Sequence, residues 1–350
     1  MARYYVWMAA NISPLSRLDL QNMIYIHSAG HFHPENVIDN HFLEQLDIGT
    51  TDEWIIERVG IKSRRTILNL DYIKATHNQN PAAAAEASIY TNAQTGALAG
   101  EMAIKRAGLG KNNIGMVIAG SCTPQHSCPA EACTIAAALD IDAQGFDVNS
   151  ACSSLAAQLH FLNMMRDDAL PEYVLLVSPD NSTRHINYAD RNSCVLWGDA
   201  SSALVVSTRV PAALKIEHSM FTSSPAGWEK VTFAEHGHFD QEGRTVQTFA
   251  IKRSVAIIKQ MSEHVPELGA NKMKFIGHQA NLGMLDTVCR RAEIADENHY
   301  YNVVEYGNCG AAGAPSVLSQ NWDKLQSGDT LTLAVVGSGL SWGGVLVTVN

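Results

Sequence analysis

The chain has 350 residues, 46% of them hydrophobic and 17% charged, with 25 glycines and 11 prolines, so it is long and apolar enough to bury a large core. That excludes disorder, collagen and a small disulfide scaffold. A balance of 25 Lys and Arg against 35 Asp and Glu leaves a net charge of -10, which argues against nucleic acid as a partner.

Residues 1–22, opening M-A-R-Y-Y-V-W-M-A-A, read as an N-terminal extension outside the core rather than as a signal peptide. The first strand is expected over 23–30, and helical pieces broken at Gly49 over 39–58, with Thr51 before D-E-W-I-I-E-R as a helix start. The polar, Ala-rich stretch 67–95 lacks linker composition and reads as an insertion folded onto the body. It leads into a helix at A-L-A-G-E-M-A-I-K-R-A-G-L, residues 97–109. Strands are then expected over 115–120, 146–149, 173–178 and 202–207, with helices over 130–139 and 153–165. Beyond residue 210 the pattern predicts a helix over 246–263, a strand over 274–278, helices over 281–292 and 311–324, and strands near 330–336 and 344–349. Helices between buried apolar strands predict α/β layers with parallel pairing. The two halves, 23–209 and 210–350, run through a similar order, although no sequence repeat is visible.

No apolar run reaches the roughly 20 residues of a membrane helix. The seven cysteines (Cys122, Cys128, Cys133, Cys152, Cys194, Cys289 and Cys309) are odd in number and lack paired zinc spacing, which suits a reducing cytoplasm. H-F-H at 31–33 and H-G-H at 236–238 have no third ligand at recognisable spacing, so no metal is expected.

The strongest chemical signal is D-V-N-S-A-C-S-S-L at 147–155, where a strand ends and a helix begins at Cys152. A helix N-terminus beside free backbone N–H groups favours the thiolate, making a nucleophile without a metal. His278 in F-I-G-H-Q-A-N-L and Asn308 in E-Y-G-N-C-G-A-A-G lie at similar strand-to-helix junctions and suggest one shared pocket. A His and an Asn that donate hydrogen bonds can polarise a thioester carbonyl and stabilise its enolate. In G-S-G-L-S-W-G-G at 337–344, a backbone N–H near Gly339 can join that of Cys152 as an oxyanion hole.

T-D-E-W-I-I-E-R-V-G-I-K-S-R-R, the A-C-S-S elbow, A-D-R-N-S-C-V-L-W-G-D-A-S-S-A, G-H-Q-A-N and Y-G-N-x-x-A-A occur together in this order. From about residue 23 to 350 the chain thereby resembles ketoacyl-acyl-carrier-protein synthase III of the thiolase superfamily. The resemblance implies a thiolase-like, five-layered αβαβα fold of two similar halves and a homodimer. It implies Cys152, His278 and Asn308 as the catalytic triad. It also implies coenzyme A or phosphopantetheine thioesters as substrates, with no permanently bound cofactor. Trp54 and Arg191 match positions that sandwich the adenine of coenzyme A, Arg58 one that meets its phosphates, and Asn281 one near the pantetheine arm. The implied reaction is a Claisen condensation through an acyl-cysteine, in fatty-acid or polyketide synthesis. Acyl transfer to an oxygen or nitrogen acceptor and a non-catalytic partner subunit are the alternatives.

The sequence departs from the housekeeping pattern at several positions. Gly283 stands where those members carry an Arg two places after the Asn of H-Q-A-N, which puts carrier-protein docking there in doubt. The turn reads G-N-C-G-A-A-G, and Ser338 is the middle residue of the C-terminal glycine triplet. With the insertion at 67–95, these changes resemble specialised relatives that form cyclohexanediones, dialkylresorcinols or pyrones. In some of those a glutamate on the partner's loop is the base. Here Cys128 occupies that position and Glu131 is the candidate base. An acidic carrier protein would need local cations, for which Lys252, Arg253, Lys272, Lys274, Arg290 and Arg291 are candidates.

Overall fold

A computed structural model describes residues 23–234 and 237–350; the extension read at 1–22 lies outside the described residues, as does His236 of the H-G-H pair. Ten strands form one sheet: β1 (Ile24–Phe32), β2 (Ile114–Ala119), β3 (Gln144–Asp147), β4 (Tyr173–Asp180), β5 (Ala200–Ser207), β6 (Leu214–Ser223), β7 (Lys274–Gly277), β8 (His299–Tyr300), β9 (Thr330–Gly337) and β10 (Ser341–Val349). Their order is β8-β7-β9-β10-β6-β1-β5-β4-β2-β3. Adding five to each label of β1-β5-β4-β2-β3 gives β6-β10-β9-β7-β8, so the two halves share one topology. They join where β1 pairs antiparallel with β6, Ile24 opposite Ile216.

The pairing is mixed, which corrects the expectation of parallel strands throughout. β2 runs parallel to β3 and β4, and β7 to β8 and β9, but β4–β5, β5–β1, β9–β10 and β10–β6 are antiparallel. The turn between β9 and β10, Ser338 to Leu340, is too short for the crossover that parallel strands require. The sequence reading also missed β6, whose Lys215, Glu217 and His218 interrupt its apolar positions.

The longer helices among the described residues are α1 (Asp52–Val59), α2 (Asn92–Arg106), α3 (Glu131–Ala138), α4 (Ser154–Met164), α5 (Gly243–Ser262), α6 (Leu282–Ala292) and α7 (Gly313–Gln320). α2 starts ahead of the expected 97 because Thr91 and Gln94 form a capping box at its N-terminus. α4 packs against β4 of its own half and β6 and β10 of the other; α7 packs against β7 and, across the halves, β1 and β5. These two helices are therefore the middle layer, and small or apolar residues bury them nearly all round. α2 and α3 cover the first half and α5 with α6 the second, which completes the αβαβα layering. Among the described residues no helix is long and apolar enough to cross a membrane.

Residues 67–95 hold a short helix, Leu70–Thr76, and a 3-10 turn, Pro81–Ala85. The segment is anchored by the buried Asn78, whose Nδ2 donates to the carbonyls of Arg184 at 2.8 Å and Ile186 at 2.9 Å. The outer layer sits close: a Cβ at Gly30 on β1 would lie 2.2 Å from the Ala99 carbonyl and 2.6 Å from Ala103 N on α2. Gly30→Val should therefore cost at least about 1–3 kcal/mol of stability through overpacking, read as a lower urea midpoint.

Candidate active site

Cys152 stands on a corner between β3 and α4. Ala151 before it has φ 47, a left-handed conformation that costs a residue with a side chain about 1–3 kcal/mol. The surrounding polar groups hold it there. Ser153 N donates to Ser150 O and Ser154 N to Ala151 O, each at 3.0 Å; Ala151 N donates to Asn149 Oδ1 at 2.8 Å and Ser150 N to Ser154 Oγ at 2.9 Å. α4 itself begins at Ser154, one residue after the start expected at 153. The β9–β10 turn presses on this corner at Gly337, where a Cβ would come within 2.8 Å of Ser150 O and 2.9 Å of Ser153 N. Hydroxyls tie the two together, Ser341 Oγ meeting Ser150 Oγ at 3.0 Å and Ser153 Oγ at 2.8 Å. Gly339, with φ 126, lies in the turn between Ser338 and Leu340, both of which line the cavity, but is not itself a lining residue.

His278 follows β7, and its N–H donates to Ala334 O on the neighbouring β9 at 2.8 Å. Burial pushes its imidazole down to about 4, so it is neutral near pH 7. Asn308 pairs through its backbone with the strand-like segment around Trp197: Asn308 N donates to Leu196 O at 2.8 Å and Gly198 N to Asn308 O at 3.1 Å. Its side-chain oxygen accepts from Gly310 N at 3.0 Å, which leaves the amide N–H2 as the group to donate onward.

Cys152, His278 and Asn308 line one cavity of about 300 Å³, together with Trp54, Arg58 and Asn281. Its walls are largely apolar, from Val195, Trp197, Phe239, Phe249, Met284 and Leu340 among others. Arg58, Asp190, Asn192, Gln241 and Arg244 line an adjoining polar mouth; Arg244 was not singled out from sequence, having no motif around it. Trp54 is set by α1, whose cap Thr51 accepts from Trp54 N at 3.2 Å. The guanidinium carbons of Arg58 and Arg191 lie 4.7 and 5.0 Å from its ring centre, and Arg191 Nη1 donates to Gly49 O at 2.6 Å. Asn281 has a second duty, its Oδ1 capping α6 by accepting from Met284 N at 2.8 Å.

Within its own chain Glu131 lies apart from this cavity. Its carboxylate accepts from Gln125 N at 3.1 Å and Asn92 Nδ2 at 3.2 Å, bracing the loop before α3. Burial pushes it up to about 7 against those donors. The candidate carrier-facing cations also divide: Arg253 lies 4.0 Å over the Trp342 ring and Lys274 pairs with Asp329 at 2.7 Å, so neither is simply a solvated surface charge. His31 bonds Ser319 Oγ at 2.7 Å and His33 stacks on Tyr306. Among the described residues no group of His, Cys, Asp or Glu is placed to hold a metal.

One positioning residue escaped the sequence reading. Asp180 ends β4, wholly buried, where the apolar run Y-V-L-L-V closes on an acid, and that contrast was the available signal. One of its oxygens accepts from Ser121 Oγ at 2.7 Å and Cys122 N at 2.6 Å; the other accepts from Ala311 N. It thus joins the loop beside Cys152 to the turn after Asn308. Burial raises its pKa, opposed by these donors. Asp180→Ala leaves three buried donors without an acceptor and should lower stability by about 3–5 kcal/mol in urea unfolding, with a smaller loss for Asp180→Asn, which can still accept.

The sequence model described as 3-Oxoacyl-[acyl-carrier-protein (ACP)] synthase III matches residues 146–225, and that of its C terminal domain matches 272–349. Beta-ketoacyl-[acyl-carrier-protein] synthase III of Chlamydia caviae is 32% identical over 340 residues, covering 92% of this chain and 96% of the relative. The Aliarcobacter butzleri enzyme of the same name is 29% identical over 345 residues, covering 93% and 98%. The crystal structure of 3-oxoacyl-[acyl-carrier-protein] synthase III from Aquifex aeolicus superimposes with a TM-score of 0.81 at 26% identity, covering 93% of this chain and 99% of that one. With its duplicated layers and the Cys152 corner opening on a shared cavity, the chain belongs to the beta-ketoacyl-[acyl-carrier-protein] synthase III family of thiolase-fold condensing enzymes.

Proposed function

We propose that the protein joins two acyl thioesters by Claisen condensation through an acyl-Cys152 intermediate, making a 3-oxoacyl thioester for a specialised lipid or polyketide. The observation that carries this reading is the convergence of Cys152, His278 and Asn308 on one cavity that Trp54 and Arg58 also line. Cys152 attacks the first thioester carbonyl, a carbon–sulfur bond forms, and the coenzyme A or pantetheine thiolate leaves. The N–H groups of Cys152 and Gly339 hold the oxyanion. A second thioester then enters, and neutral His278 with the Asn308 amide donates to its carbonyl oxygen as the enolate develops. The enolate carbon attacks the acyl carbonyl, and Cys152 departs as thiolate.

Among the described residues no carboxylate lines the cavity, and the oxygens of Glu131 are engaged elsewhere. The enolate forms by loss of CO2 where the second thioester carries a malonyl unit, and by loss of an α proton where it does not. The apolar walls suit an acyl chain, and Trp54, Arg58 and Arg191 offer a stacking surface and cations for the nucleotide of coenzyme A. Gly283 leaves no side chain at the start of α6, and residues 67–95 are anchored beside Arg184 and Ile186. Gly283, standing where the housekeeping pattern has an Arg, supports a thioester partner other than the housekeeping carrier protein, and a homodimer is the proposed working unit.

Intact-mass measurement should show acyl loading of the wild type and none for Cys152→Ala; a variant still acylated to the same extent would overturn the nucleophile. His278→Ala should still load but lose about 100–1,000-fold in condensation, read by single-turnover product formation. Carbon dioxide should appear in step with product from a malonyl thioester. The condensation step should keep its rate as pH falls through 6.5, because folded His278 stays neutral down to about 4. Over the same interval the unfolded chain takes up this proton first, so the His278 contribution to folding stability declines as pH falls from 6.5 toward 4, visible in urea midpoints compared with His278→Ala.

A further inference from the structure

Cys122 lies in the loop after β2, in the sequence S-C-T-P, and its Sγ is 3.4 Å from Sγ of Cys152. To form a disulfide the two sulfurs would close from this contact to roughly 2.05 Å. Both ends are held in register. Cys122 N and Ser121 Oγ donate to the buried Asp180, and the corner bonds of Ser153 and Ser154 hold Cys152. Other thiols are engaged differently: Cys309 donates to Tyr306 O and Cys133 to Gly145 O. Cys152 lines the cavity, through which a small oxidant can reach it. The hydrogen bond with Cys152, burial and nearby Asp180 push the Cys122 thiol well above its ordinary value, so it remains S–H while its neighbour reacts.

We propose that Cys122 and Cys152 form a reversible oxidation site, converted by a hydroperoxide into an intramolecular disulfide. The inference rests on the reading of Cys152 as the reactive thiol. In the first step the Cys152 thiolate attacks one oxygen of hydrogen peroxide: a sulfur–oxygen bond forms, the oxygen–oxygen bond breaks and hydroxide leaves. Cys122 then attacks the sulfenic sulfur; a sulfur–sulfur bond forms, the sulfur–oxygen bond breaks, and the hydroxyl departs with the thiol proton as water. Two thiols are oxidised and the peroxide, after hydroxide takes up a proton, is reduced to two waters. The disulfide blocks acyl loading and holds Cys152 short of the irreversible sulfinic acid.

The test treats the reduced full chain with hydrogen peroxide and maps peptides without reduction. A peptide pair cross-linked through Cys122 and Cys152 is expected, with an intact mass lower by two hydrogens and acyl loading lost, then recovered with dithiothreitol. Cys122→Ala and the closer mimic Cys122→Ser should give no cross-link, and peroxide should carry their Cys152 to a sulfinic acid that dithiothreitol does not reverse. Wild-type protein that goes to sulfinic acid without the cross-link, or Cys122→Ser that recovers as fully as wild type, would overturn the proposal. A cross-link that leaves acyl loading intact would instead overturn Cys152 as the acyl carrier, while acyl loading of reduced protein without any cross-link leaves that reading standing and removes this one.

Discussion

The turn between β9 and β10 can rest on the Cys152 corner because position 337 carries no Cβ. Any larger residue there would collide with backbone atoms of Ser150 and Ser153, and neither atom can move without disturbing the strained Ala151. Once the approach is made, Ser150, Ser153 and Ser341 close it with hydroxyl bonds that satisfy one another away from water. Because β9 also holds His278 through Ala334, one close contact relates the Cys152 corner, the turn that carries Gly339 and the His278 backbone. Local hydrogen bonds shape the Cys152 corner, and the packing of the two halves sets its distance from the β9–β10 turn.

Asp180 does for Asn308 what Gly337 does for His278. A buried carboxylate is costly unless it is well supplied with donors. Here the donors come from two segments that the chain separates widely, the loop at Ser121 and Cys122 and the turn at Ala311. Tying them to one acid fixes the distance between the Asn308 turn and the wall beside Cys152. The same tie sets Cys122 against Cys152, so positioning of the site and the sulfur contact share one physical origin.

Much of the element order was legible because each core element has a single period. V-L-L-V in β4 and L-T-L-A-V-V in β9 are continuous apolar runs, and α5 and α6 carry recognisable apolar faces. β6 was not legible, since it joins the halves and carries polar residues between its buried ones. Mixed strand direction was missed for a related reason: apolar runs look alike in parallel and antiparallel settings, and connection length decides between them. Glu131 was legible as an acid at a helix start, but its engagement by Gln125 N and Asn92 is a contact across separate loops.

By itself the sequence determined that Cys152 and His278 stand where a strand gives way to a helix, since apolar periodicity is a local property of the chain, whereas Asn308, expected at such a junction, follows the short helix Val303–Tyr306 instead. It also placed Trp54 and Arg58 on one helix, four residues apart and so on one face. Only the tertiary structure decided that the three residues open on a single cavity and that Asn281 caps a helix while lining it. Only it set Cys122 against Cys152. The physical reason is that these relations depend on close approaches and buried hydrogen bonds between segments 30 to nearly 200 residues apart, which no local pattern encodes.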